Sequence, residues 1–151
     1  MMFDHDYKAF PELSNSQLEV LQFSSPHTQI TEDFNALVVK VHDGDTVTLE
    51  TGFRDFTFPL RMLDIDAPEL SEGGHEARDW LKAKLEGKDV QIQIDKNNRV
   101  GKYGRLLGRI IYNGMDISQE ELHLGLVLPF GFKKEGEVPT ADKIFSMKQW
   151  L

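Results

Sequence analysis

From residue 36 onward the hydrophobic and polar positions follow a strand-like pattern. Leu37-Val38-Val39-Lys40-Val41 is apolar and β-branched, and Thr46-Val47-Thr48-Leu49 alternates with a period of two. His42-Asp43-Gly44-Asp45 between them has turn chemistry. Thr51-Gly52 marks the next turn, and residues 56–63 read as a third strand, with Pro59 pointing to an edge or a bulge. Gly73-Gly74 then breaks the chain. Residues 76–85 place Ala77, Trp80, Leu81, Lys84 and Leu85 at helical spacing, and Gly87 ends the helix. Residues 90–94 alternate again, 96–104 form a polar loop, and 105–112 read as a fifth strand ahead of an Asn113-Gly114 hairpin turn. Ser118 is expected to cap a short helix through His123, closed by Gly125, and a last helix is expected from Thr140 to near Trp150.

Three strands, a helix, two strands and a helix predict an α+β fold that is mainly β. The architecture this order suggests is a five-stranded OB-type β-barrel with about three helices. Residues 1–34 stand apart as an N-terminal extension, and 35–151 form the body. Within the extension Ser14 or Ser16 is expected to cap a short helix through Leu21, stopped by Pro26. The pattern leaves open whether this segment docks on the body or stands off it.

Composition narrows the class. Hydrophobic residues make up 40% of the 151, which suits a packed core rather than a disordered chain. The chain has no cysteine, which excludes disulfides, zinc-thiolate sites and a thiol nucleophile together. The first residues lack the basic start and apolar run of a secretory signal, and no stretch approaches the roughly 20 apolar residues that span a bilayer. The expectation is a cytoplasmic protein with no membrane partner.

The net charge of −8 argues against a simple nucleic-acid binder. Its distribution softens the objection: residues 1–35 hold six acids and one base, leaving 19 acidic and 16 basic residues in the body. Residues 95–109 carry Lys96, Arg99, Lys102, Arg105 and Arg109 against Asp95 alone. That strip suits contact with one or two phosphates rather than a wrapped duplex.

Three segments place ionisable residues where strands end. Asp43-Gly44-Asp45-Thr46, alone, is equally a simple turn. Arg61 to Glu69 ends in Asp66-Ala67-Pro68-Glu69, where Pro68 stiffens the tether of Glu69; alone it is equally a salt-bridged loop. Gly101-Lys102-Tyr103-Gly104-Arg105 suits a phosphate and a stacked base, or an ordinary hairpin loop. Together they supply hard oxygen ligands (Asp45, Asp66), two guanidinium forks (Arg61, Arg105) and a base for water (Glu69). Metal-assisted phosphodiester hydrolysis needs those parts. His42 and His75 have no spaced partner and read as surface residues.

On these three motifs, in this order, and on Glu76-Ala77, the chain from about Asn35 to Trp150 resembles the staphylococcal nuclease (thermonuclease) family. The resemblance implies the staphylococcal-nuclease fold and a Ca²⁺-dependent nuclease that cleaves the 5′ P–O bond of DNA and RNA and leaves 3′-phosphates. It implies Asp45, Asp66 and the backbone carbonyl of Ala67 as metal ligands, with Asp43 supporting them. Ala67 stands where the family often has Thr, which keeps the carbonyl. Arg61, Glu69 and Arg105 would be catalytic, and Lys102 and Tyr103 would bind the nucleotide or its phosphate. Met115-Asp116-Ile117-Ser118 departs from the family, which often has Asn before this helix. Two other readings stand beside an active enzyme. One is a catalytically silent barrel that binds nucleic acid or protein. The other, compatible with the enzyme, makes residues 1–34 a docking segment for a protein partner.

Overall fold

The computed structural model describes residues 11–13, 15, 28–101 and 104–131. Five strands form a closed barrel: β1 (Phe34–Asp43), β2 (Thr46–Thr51), β3 (Arg54–Met62), β5 (Asp89–Gln93) and β6 (Leu106–Tyr112). β1 pairs antiparallel with β2 and β5, β2 with β3, and β5 with β6. A parallel pairing of β3 with β6, Leu60↔Leu106 through Met62↔Gly108, closes the ring. The five-stranded barrel expected from the pattern is thus present. Pro59 lies just before that closure, paired only with Thr48 of β2, so its missing N–H breaks no ladder.

Inward positions alternate as a period of two requires. Val38, Val47, Leu49, Phe58, Leu60, Ile92, Leu106 and Ile110 are almost wholly buried, each contributing roughly 1.5–3 kcal/mol of hydrophobic stabilisation. Helix α1 (His75–Leu85) covers one side of β1 with Ala77, Leu81 and Leu85. Helix α2 (Ile117–His123) follows the short strand β7 (Met115–Asp116). Its cap differs from expectation. Asp116, not Ser118, is the N-cap, and its carboxylate accepts the Ser118 N–H, because Asp116 keeps extended backbone while Ser118 is already helical and buried. Asn113 and Gly114 both have positive φ, as the hairpin turn requires. The expected helix over 140–150 lies outside the described residues. No described helix is long and apolar enough to cross a membrane.

Two features went unread in the sequence. β4 (Ile65–Asp66) pairs with β8 (Leu128–Pro129), tying the loop after β3 to the segment after α2. Residues 11–13 also pack onto the barrel. Glu12 is fully buried, its carboxylate bridging Arg54 (2.7 Å) and Arg99 (3.3 Å) and accepting the Ile30 N–H. Its own N–H donates to Gly104 O. Arg99 further donates to Ile30 O, Leu13 O and Asn15 Oδ1.

Candidate active site

The β1–β2 turn is the first component. Gly44 is glycine for space rather than for φ. A Cβ there would lie 2.8 Å from Ala77 Cβ and 2.9 Å from Ala67 Cβ, so helix α1 and the Ala67 loop both press against the turn. Gly44→Ala is therefore expected to destabilise the protein by about 1–3 kcal/mol, as overpacking does, read by urea denaturation; a loss under 0.5 kcal/mol would mean the turn has room to move. The packing drives Asp45 inward. Its Oδ2 accepts the Ala67 N–H (2.8 Å), its Oδ1 accepts the Thr46 hydroxyl (3.0 Å), and its N–H donates to Asp43 Oδ1 (3.0 Å). Burial, and next the hydrogen bond with Asp43, push the Asp45 carboxyl up to about 7 against the opposing pull of Arg61.

β3 and β4 supply the second component. The Arg61 guanidinium donates through Nη1 to Met62 O (2.6 Å) and Ile65 O (2.9 Å). Its Nη2 reaches Asp66 Oδ1 at 2.8 Å and Asp45 Oδ2 at 3.2 Å. Two carboxylates from separate strand ends therefore converge on one cationic nitrogen. The β4–β8 pairing holds Asp66 in place, and the Gly131 N–H donates to its Oδ2 (3.2 Å).

Barrel closure supplies the third. Arg61 faces Leu107 across the parallel pair, and Arg105 lies two residues before Leu107, just outside β6. Both arginines line one pocket of about 410 Å³, together with Asp64, Asn98, Leu107 and Phe130. Glu69 follows Asp66 by three residues. It is exposed, in extended backbone (ψ 147°), and its carbonyl accepts the Glu72 and Gly74 N–H groups. Lys102 and Tyr103 lie outside the described residues.

The basic strip read from residues 95–109 does not form one surface. Arg99 is buried against Glu12, and Arg109 grips Asp64 with two hydrogen bonds (2.7 and 3.2 Å). Of the strip's described arginines, Arg105 lines the pocket. Charge counting along the chain cannot separate a cation offered to ligand from one spent on an internal acid.

Two residues were missed. Phe130 stands at the pocket with 71% of its surface exposed, unusual for so large an apolar side chain. Glu121 on α2 is fully buried close to the Gly44 turn. A lone aromatic and a helical glutamate give no signal in one sequence.

The donors present fit a hard divalent cation. Asp45 and Asp66 both reach Arg61 Nη2, and the Ala67 carbonyl belongs to the residue between Asp66 and Pro68. Among the described residues, no three acidic, His or Cys side chains close on one metal position. The carboxylates of Asp45 and Asp66 could thus share such a cation.

The profile of the family described as staphylococcal nuclease homologue matches residues 59–149, a span that includes Arg61, Asp66, Glu69 and Arg105 but begins after Asp45. A micrococcal nuclease of Shigella flexneri is 36% identical over 81 residues, covering 53% of this chain and 43% of that protein. Endonuclease YncB of Bacillus subtilis (strain 168) is 28% identical over 111 residues, covering 68% and 51%. An uncharacterized protein of Bacillus anthracis is 32% identical over 95 residues, covering 58% and 44%. The chain spans about half the length, or less, of these relatives.

Proposed function

We propose, from the premise that this chain belongs to the staphylococcal nuclease homologue family, that it is a calcium-dependent nuclease hydrolysing phosphodiester bonds of DNA and RNA. The observation that carries the reading is the convergence of Asp45 and Asp66 on one nitrogen of Arg61, in a pocket Arg61 shares with Arg105. A site built to seat positive charge between two acids, beside two guanidinium forks, suits a phosphodiester.

Asp45, Asp66 and the Ala67 carbonyl would hold Ca²⁺, which supplies Lewis-acid polarisation of a phosphoryl oxygen. Asp43 fixes the turn that aims Asp45. Arg105, and Arg61 with whatever donors the carboxylates release, bind the scissile phosphate and stabilise the charge that grows on it. Glu69 takes a proton from the attacking water at its carboxylate. With cleavage of the 5′ P–O bond, the product keeps a 3′-phosphate. Lys102 and Tyr103 precede Arg105 in the same sequence motif and are assigned to the nucleotide. Phe130 offers a face on which a base stacks, which needs an unpaired base and so favours single-stranded or locally opened substrate.

The test is digestion of single-stranded DNA and RNA by the purified chain with Ca²⁺ and with EDTA. Cleavage with 3′-phosphate ends that stops on chelation is expected. A chain that binds Ca²⁺ and leaves both substrates intact is instead a binding module on the same barrel.

A further inference from the structure

Glu121 occupies a position where the helix pattern calls for an apolar residue. On α2 it lies one turn past Ile117 and beside Leu122, and all three are buried. Its neighbour Glu120 is the one that pairs outward, with Lys84 at 3.4 Å. Glu121 makes no such pairing among the described residues. Its side chain is fully buried, and neither carboxylate oxygen has a hydrogen-bond partner among the described residues. Such a group costs stability, because the water it lost is not replaced. Something else must make the position tolerable.

The direction of the side chain shows what that is. Glu121 Oε2 lies 3.5 Å from where a Gly44 Cβ would stand, so the carboxylate sits against the turn that carries Asp43 and Asp45. Burial raises its pKa well above the usual carboxylate range, the nearby charges of Asp45 and Asp43 raise it further, and Arg61 opposes them. Arg61 is already shared between Asp45 and Asp66. The neighbourhood is therefore rich in acid and short of positive charge, and water is excluded from Glu121.

We propose that Glu121 is a positioning residue of the calcium site: from behind the Asp43-Gly44-Asp45 turn its carboxylate strengthens cation binding at Asp45, at a cost to the stability of the metal-free protein. The inference rests on the calcium reading of the same site. Glu121 acts through the turn rather than as a ligand, and among the described residues no third acid joins Asp45 and Asp66 at one metal position. Field strength rises where water is excluded, so the Glu121 carboxylate, once ionised, acts on a divalent cation at the neighbouring turn more than a surface charge does.

The experiment compares full-length wild type, Glu121→Gln, Glu121→Leu and Glu120→Gln by calcium titration calorimetry and by melting with Ca²⁺ and with EDTA. Both Glu121 variants should bind Ca²⁺ about tenfold more weakly, and at least the Leu variant should melt several degrees higher than wild type in EDTA. Their calcium-induced rise in Tm should shrink accordingly. Glu120→Gln should match wild type in calcium affinity. A merely structural glutamate gives the opposite sign, a lower Tm in EDTA with unchanged calcium affinity, and overturns the proposal. Wild type that binds no Ca²⁺ overturns the calcium reading itself, and the inference with it. Wild type that binds while Glu121 variants bind equally well overturns the inference alone.

Discussion

Glu12→Gln is expected to destabilise the protein by about 3–5 kcal/mol, the cost of removing one member of a buried charge network. Glu12 lies between Arg54 and Arg99, and all three side chains are almost wholly out of water. Gln keeps the shape but leaves two guanidiniums facing each other without an anion. Arg54 is poorly placed to find another partner, since its Nε and Nη1 already lack hydrogen bonds. Its face lies near Phe58 (4.6 Å) and Phe56 (5.2 Å), which soften the charge but do not neutralise it. The same reasoning applies to a chain that starts at residue 35. It would keep every barrel strand from Asn35 on, yet carry Arg54 and Arg99 without their acid, and it should be less stable than the full chain. Denaturant unfolding of both proteins measures the effect. A change below 1 kcal/mol in each would show that the network relaxes into solvent when Glu12 is lost.

That network also reaches the candidate site. Glu12 N–H holds Gly104 O, and Arg99 O accepts the Leu107 N–H, so both ends of the loop leading to Arg105 are tied to it. An extension that looks like an appendage in sequence is, over residues 11–13, part of the scaffold behind the arginine loop.

How much could be read in advance depended on the range of the interactions. The barrel strands and α1 were legible because alternation, helical spacing and turn residues are local, and burial on one face enforces them. The acid and arginine positions were legible as motifs, since a turn or strand end fixes each within a few residues. The β4–β8 pairing was not, because two-residue strands at 65–66 and 128–129 have no period to detect. Glu12 with Arg54 and Arg99 was invisible for the same reason: contacts 42 and 87 residues apart leave no local pattern. The strip at 95–109 misled because its charges were counted without their partners. Asp116 displaced Ser118 as the cap because the helix starts at Ile117, two residues earlier than a Ser118 cap would start it.

Glu69→Gln is expected to lower kcat by about 10²–10⁴-fold, the range general-base catalysis contributes, with melting unchanged within the scatter of surface substitutions. Position, not burial, makes this separable from a folding defect. Glu69 is exposed, and its backbone is held: Pro68 precedes it, its carbonyl caps the turn at Leu70–Glu72, and Gly74 packs so close that a Cβ there would stand 2.1 Å from Pro68 O. The backbone hydrogen bonds survive a change at the end of the side chain, so Gln should occupy the same place without the proton-accepting oxygen. Calcium affinity should also persist, because Asp45, Asp66 and the Ala67 carbonyl are untouched. That distinguishes Glu69 from Glu121, whose loss should alter affinity first. Single-turnover cleavage of a short single-stranded DNA under saturating Ca²⁺ reads the chemical step directly. If Glu69→Gln cleaves within threefold of wild type, the water is activated by some other group and the assignment of Glu69 is wrong.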